Sequence, residues 1–328
     1  MRGCRIGIVG PRTPFGQRVR KLLGEGELPV IELKLFESET AEEATLTQFG
    51  DDVVVTQPVD PDLFPHLDAL LVGGNDSDLL NRIAADAGEG GVLTLVEGAL
   101  GLGAPLVTPG RLEALRSAEN RLAIVPRVES HLLGATLAAI AEHHPIERAV
   151  ATVLVPAHST GDAGAEELHQ QIVNILNFKT PPTEVLHEQL AFNVRLLSAS
   201  DGVVNVADTV AWEASRLAGI EEGLTVSLVQ VPVFHGYSAS LWVETRDRVD
   251  ARTVRSAFRS KPFESAKSAR SARAPSPVSA AGSETIHIGP VRASVASGPP
   301  GFWLWAVADT TAYDPAFAAI EILRALLG

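Results

Sequence analysis

Between an apolar run and an amphipathic stretch lies Gly10-Pro11-Arg12-Thr13-Pro14-Phe15-Gly16, a turn with the composition of a phosphate cradle. Glycine lets the backbone turn tightly and approach a pyrophosphate at a helix N-terminus, where unpaired amides and the helix dipole favour an anion. Gly10 and Gly16 are in place, but Thr13 stands at the middle position and fills space a phosphate needs. Pro11 and Pro14 have no amide hydrogen to offer. The turn therefore reads in either of two ways. It is a dinucleotide site using Gly10, Arg12, Thr13, Phe15 and Gly16, or a plain strand-to-helix turn. Glu37, ending the second apolar run, poses the same choice. A carboxylate there can hold the diol of an unphosphorylated ribose, which makes NAD possible and NADP less favourable. Otherwise Glu37-Ser38-Glu39-Thr40 is a solvated acidic loop. Gly73-Gly74, closing the fourth run, would flank the same ligand.

The remaining reactive groups are scattered. Cys4 is the single cysteine, so no internal disulfide or cysteine-based zinc site can form, and it reads as a small buried hydrophobe. His143-His144 suits a helix C-terminus, where positive charge is favoured; no metal site is expected. His158 and Asp162 flank Gly161 and suit either acid–base work or turn chemistry. Glu129 and His131 lie at a helix start. His235 and Tyr237 would share a face if the strand there is regular. A phenol, with a pKa of about 10, is a poor general base at neutral pH. Trp303 and Trp305 share a strand face suited to core or interface. Arg255, Arg259, Lys261, Lys267, Arg270 and Arg273 form a basic run, expected to be solvated or screened by an acidic surface.

The elements that position these groups fall into two patterns. In the first, Arg5–Val9, Val30–Phe36, Asp52–Thr56, Ala69–Val72 and Val92–Val96 read as strands. Helical spacing lies between them in Phe15–Leu23 and Leu79–Ala87. Continuous apolar strands alternating with helices imply a doubly wound parallel sheet of Rossmann type. After Pro126 come an apolar helix (Leu132–Ala141), a strand (Ala149–Val155) and a helix (Ala165–Leu176) with Glu166-Glu167 in its first turn. Thr225–Phe234 and Ser240–Thr245 alternate like antiparallel strands with one wet face. Residues 256–282 are rich in Ser, Ala, Pro, Lys and Arg and read as a flexible surface excursion. Ile286–Ile288 and Phe302–Val307 return to strand. Pro315–Leu327 is a closing amphipathic helix with Phe317, Ile320, Leu323 and Leu327 on its inner face. The expected domains are 1–126 with 309–328, and 127–308. With 328 residues the chain can bury two cores. Its net charge of −13 argues against a dedicated nucleic-acid or anionic-membrane binder. Without a signal-like start or a long apolar span, a cytoplasmic location is expected.

Several segments, in order, resemble one family. Arg5–Gly16 is similar to the opening glycine turn of aspartate-semialdehyde dehydrogenases, roughly IVGATGAVG. Ala123–Ser130 and Gly161–Leu168 continue the likeness. The most specific segments are Glu188–Asn193 (EQLAFN) and Val231–Glu244 (VPVFHGYSASLWVE), similar to HQIAFN and RVPVFxGHSxSVNVE. The resemblance implies a Rossmann domain completed by the C-terminal helix, and a central homodimerisation domain. It also implies NADP-dependent chemistry, in which a cysteine thiolate attacks the aldehyde, hydride leaves to the nucleotide, and phosphate releases the acyl group, with a histidine as acid and base.

This chain departs from that pattern at the chemistry. The nucleophile position is Val128, the histidine position Tyr237, and the substrate-binding arginine position Gln230. The family's glutamine after the central strand falls on Val155, and no arginine occurs in Val96–Gly103, where a phosphate-binding stretch is expected. The chain thus resembles the Usg-type branch that lacks the cysteine and histidine. The expectation is a dehydrogenase-like dimer without catalysis, with a structural, regulatory or ligand-sensing role. An NAD(P)-dependent oxidoreductase with rebuilt, non-covalent chemistry at His235 or Tyr237 is the alternative, and an active aspartate-semialdehyde dehydrogenase comes third.

Overall fold

Strands that are apolar without a break must be covered on both faces, and the first part of the chain is built from them. The computed structural model describes residues 3–37, 46–49, 52–74, 82–87, 90–98, 102–116, 121–197, 206–220, 223–265, 274–294 and 300–327. They form two compact units, Met1–Arg127 with Asp314–Gly328, and Val128–Tyr313.

In the first unit the strands are β1 (Cys4–Val9), β2 (Val30–Glu37), β3 (Leu46–Phe49), β4 (Asp52–Pro58), β5 (Ala69–Val72), β6 (Leu93–Glu97) and β7 (Leu122–Val125). Between them lie helices α1 (Pro14–Gly24), α2 (82–87) and α3 (Glu113–Arg116). The sheet order is β3-β4-β2-β1-β5-β6-β7, parallel throughout except for β3, which runs antiparallel to β4. The sequence reading missed β3, whose short segment lacks a long apolar run. From β1 the chain first winds to one side and then, at β5, to the other. Such a reversal leaves a crevice at the carboxyl ends of β1 and β5. The closing helix packs on α1, and Arg18 Nε donates to Asp314 Oδ2 at 2.7 Å. Its buried stripe is Ala316, Ala319, Ile320 and Leu323, whereas Phe317 faces outward. That corrects the expected face, because small alanines allow closer packing than a phenylalanine there.

The second unit contains α4 (Val128–Ala141), β8 (Ile146–Val155), α5 (Asp162–Leu176), β9 (Arg195–Leu196), α6 (Val206–Ala218), β10 (Leu224–Gln230) and β11 (Tyr237–Thr245). Then follow α7 (Ala251–Ser256), β12 (Phe263–Ser265), α8 (Pro277–Ala280), β13 (Ile286–Ile288), β14 (Arg292–Ala293) and β15 (Gly301–Ala308); α9 (Pro315–Leu327) belongs to the first unit. The sheet order is β12-β13-β15-β11-β8-β10-β9, mainly antiparallel, with β14 beside β15. One expectation needs correction. β10 runs parallel to β8, because α6 carries the chain back to the same end, and alternation alone does not reveal strand direction.

Adjacent partners share a face. On the inner face Ala151, Val153, Leu241 and Leu304 meet Leu133 and Leu137 of α4 and Val210 of α6 in one core. The opposite face carries Val150, Thr152, Val229, Ser240, Trp242, Trp303 and Trp305. Trp242 and Trp303 lie side by side there, ring centroids 5.5 Å apart, and Trp303 is exposed.

The segment read as a surface excursion is structured at both described ends; 266–273 lie outside the described residues. Asp250 caps α7, Phe258 is fully buried against the edge of Phe263 at 5.1 Å, and Ser276 forms a capping box on α8. A few well-placed rings and caps offset the polar composition.

Glu167, in the first turns of α5, has a role that its place in the sequence does not announce. It is buried, and its carboxylate accepts the amides of Val185 at 2.7 Å and Leu186 at 2.9 Å. One turn later Gln171 accepts from Leu190 and Ala191 and donates to the carbonyls of Pro182 and Glu188. Together they fasten an arm, 182–193, over a small core of Ala157, Leu168, Leu186, Leu190 and Ala191. Replacing Glu167 by Ala orphans two enclosed amides at roughly 1–3 kcal/mol each. Urea unfolding of Glu167→Ala should show a loss of about 3 kcal/mol, with faster amide exchange at Val185 and Leu186.

Candidate functional site

The glycine turn sits at the crevice of the first unit. Gly10 leaves β1 with φ +71°, a conformation that favours glycine, and a Cβ there would lie 2.2 Å from the Gly73 carbonyl oxygen. Thr13 caps α1: its hydroxyl accepts from the Gly16 amide at 3.1 Å and donates to the Gly10 carbonyl at 2.7 Å. Across the crevice a Cβ on Gly73 would meet the Phe15 ring at 2.7 Å and Thr13 Oγ1 at 3.2 Å. The structure thus brings Gly10, Thr13, Phe15, Gly16 and Gly73 together, with Gly74 next in the chain.

Arg12 and Glu37 form a second group. Arg12 Nε donates to Glu37 Oε1 at 2.7 Å, and the Glu37 side chain is only 12% exposed. Glu37 is therefore neither an unengaged ribose acceptor nor part of a solvated loop; a cation from the turn itself holds it. Ser38, Glu39 and Thr40 lie outside the described residues. Arg20, on the next turns of α1, feels both effects: burial pulls its pKa below the ordinary range, and Glu37 raises it.

The positions that the resemblance marks, Val128, Val155, Gln230 and Tyr237, all lie in the second unit. Val155 ends β8 and pairs directly with Gln230, which ends β10. Tyr237 opens β11, one residue before the Ser238–Leu154 pair. Val128 opens α4 and packs against the same core. At these four positions the chain carries two valines, an amide and a phenol. Val155, Gln230 and Tyr237 are all buried.

A residue the sequence reading missed, Arg195 on β9, reaches this end. Its Nη2 donates to Gln230 Oε1 at 2.5 Å, its Nη1 to the Leu186 carbonyl at 2.6 Å, and its Nε lies 3.4 Å from Glu188 Oε1. The only signal was its place just after the EQLAFN segment. With Gln230 Oε1 so engaged, Nε2 is enclosed with no hydrogen-bond partner among the described residues.

His235 needs correction. Gly236, with φ +87°, breaks the backbone before β11 begins, so His235 is exposed while Tyr237 is buried, and the two do not share a face. His235 instead lies beside His158, ring centroids 4.6 Å apart. His158 Nδ1 is 3.4 Å from Asp162 Oδ1, so these two are brought together as their spacing allowed. Glu129 occupies the first turn of α4. Among the described residues no group of three acidic, histidine or cysteine side chains could hold a metal. Among the described residues no helix is long and apolar enough to cross a membrane. Cys4 is buried on β1, and burial, then Asp68, pushes its thiol pKa up.

His131 stacks face to face on Tyr313, centroids 3.9 Å apart and planes within 6°. Burial pulls its pKa down to about 4.

Residues 137–312 match the model of the semialdehyde dehydrogenase dimerisation domain. The aspartate-semialdehyde dehydrogenase of Prochlorococcus marinus is 27% identical, over 99% of this chain and 96% of its own length. Aspartate-semialdehyde dehydrogenase 2 of Vibrio cholerae is 29% identical, over 98% and 97%. In fold, aspartate semialdehyde dehydrogenase II from Vibrio cholerae, solved as a complex with ASA, aligns with a TM-score of 0.74 at 25% identity over 100% of this chain and 99% of that one. A probable aspartate-semialdehyde dehydrogenase from Pseudomonas aeruginosa aligns at 0.78 and 25%, over 99% of both.

The His131 environment makes a pH prediction. Its folded pKa of about 4 lies below the unfolded value of 6.5, so the unfolded chain takes up the proton first. Stability is full above pH about 6.5 and falls as the pH drops toward 4, by about 3 kcal/mol from this group. His131→Phe keeps the stack and removes the titration. Its stability between pH 7 and 4 should decline less steeply than wild type by that amount, read from urea unfolding at each pH.

Proposed function

The chain belongs to the semialdehyde dehydrogenase family, and from that premise we propose that it is a non-catalytic, cytoplasmic homodimer of aspartate-semialdehyde dehydrogenase type, retained for a structural or regulatory role. Support for the loss of catalysis comes from four residues: Val155, Gln230 and Tyr237 at one end of the sheet, and Val128 at the start of α4, stand where the resemblance expects the family's nucleophile, proton carrier and anion holder. Valine has no atom that can attack a carbonyl. Tyr237 is a poor general base, and Gln230 brings no charge to a substrate carboxylate. Losing a covalent nucleophile alone costs on the order of a millionfold in rate.

Support for the dimer comes from surfaces that a lone subunit leaves bare. Phe178 is 100% exposed and Phe192 66%, and both hold positive φ, 56° and 61°. Left-handed backbone at a bulky residue costs about 1–3 kcal/mol and persists where surroundings enforce it. Covering each ring is worth about 2 kcal/mol. Leu176, Val194 and Leu196 are also exposed, and Val150, Trp242 and Trp303 share the open sheet face. A second copy, related by a two-fold axis, covers both sets at once.

Purified protein should show no phosphate-dependent reduction of NADP with aspartate semialdehyde. Turnover within a hundredfold of an ordinary enzyme, about 10 per second, would refute the reading. Val128→Cys with Tyr237→His should remain nearly inactive, because Gln230 leaves the substrate unpositioned. Sedimentation equilibrium at micromolar concentration should give twice the 34.7 kDa chain mass. The double substitution Phe178→Ser with Phe192→Ser should shift the protein toward the monomer.

A further inference from the structure

The crevice of the first unit holds two contacts made where a dinucleotide would make its own. At the start of α1 the Thr13 hydroxyl takes the Gly16 amide, a donor that a pyrophosphate oxygen would otherwise receive. The same hydroxyl and the Phe15 ring crowd Gly73, so the space between the ends of β1 and β5 is filled by side chain. At the end of β2, Arg12 holds the Glu37 carboxylate, the acceptor that a ribose diol would need. The Gln17 side-chain Nε2 in turn donates to the Arg12 carbonyl at 2.6 Å, fixing the turn that carries the arginine. Pro11 and Pro14 remove two further donors from the turn, and the Thr13 amide is taken by the Gly10 carbonyl at 3.1 Å. The residues present therefore do not fit a bound dinucleotide in this arrangement.

We infer that Thr13 and Arg12 act as a built-in substitute for the dinucleotide, the hydroxyl standing for its phosphate and the guanidinium for its ribose, and that together they keep NAD and NADP out. This extends the non-catalytic reading without depending on it: a protein could lose its nucleophile and still bind nucleotide. The two contacts are chemically separate. Thr13 blocks the phosphate subsite for either nucleotide. Arg12 blocks the ribose subsite, and once it is removed Glu37 favours the unphosphorylated ribose of NAD and repels the 2′-phosphate of NADP.

Isothermal titration of the full chain with NAD and with NADP tests this. The Thr13→Gly, Arg12→Ala double variant should bind NAD at least about tenfold more tightly than wild type, a change of about 1.4 kcal/mol, and should prefer NAD to NADP. A gain below tenfold overturns the inference, whether because wild type already binds well or because neither protein binds. Far-UV circular dichroism checks that the double variant is folded, since Thr13 caps α1. If it is not, Arg12→Gln decides alone. That exposed substitution frees Glu37 and should raise NAD affinity at least about threefold with NADP affinity unchanged; no gain overturns the inference. Turnover is measured separately, so nucleotide binding by an inactive wild type refutes this inference and leaves the non-catalytic reading intact.

Discussion

The register of β8 is the constraint on which the second unit depends. Its last residue, Val155, is level with the last residue of β10, and continuing the Ser238–Leu154 register sets it opposite the first of β11. That register gathers Val155, Gln230 and Tyr237 at one sheet end although they are far apart in sequence. The same pairing fixes parity: Ala151 and Val153 point toward α4 and α6, so Val150 and Thr152 must point away. A slip of one residue would send valines and alanines to the bare face and disperse the site positions. Site geometry and bare face are therefore set by one set of hydrogen bonds. A mutation that preserves the sheet preserves the site's shape whatever chemistry remains in it.

Polar side chains in this protein mostly close gaps in the backbone. Glu167 and Gln171 satisfy the amides of an arm with no strand partner, Arg195 holds Gln230 and the Leu186 carbonyl, and Thr13 completes the first turn of α1. Each is a charged or polar group whose identity alone suggests chemistry. The partners decide otherwise: the buried Glu167 carboxylate is already engaged by two backbone amides of the arm. The contrast with Gln230 is informative, since one of its two polar ends is spoken for and the other is not.

Much of this was legible in the sequence. The doubly wound sheet followed from apolar runs between helical stretches, and the family likeness from the specific segments Glu188–Asn193 and Val231–Glu244. Contacts between distant residues were not legible. Arg12 and Glu37 are 25 positions apart and Arg195 and Gln230 are 35 apart, and nothing in local spacing announces either pair. Direction was hidden too, since β10 alternates equally well in a parallel or an antiparallel ladder. Composition misled at Phe258 and Phe263, where two rings anchor a segment otherwise rich in small and charged residues. His235 was misread because a single glycine, Gly236, ends the regular alternation one residue before it begins to matter.

The burial of Cys4 has a consequence for chemical durability. A dehydrogenase that works through a thiolate must keep a low-pKa sulfur within reach of solvent, and that sulfur is open to peroxide and to capping by glutathione. Here the sole sulfhydryl lies inside β1 with its pKa raised, so the reactive anion is scarce and hard to reach. Val128, where we propose the nucleophile has been replaced, offers oxidants nothing. The protein should therefore keep its fold and whatever surface it presents through an oxidative episode that silences thiol-dependent enzymes around it.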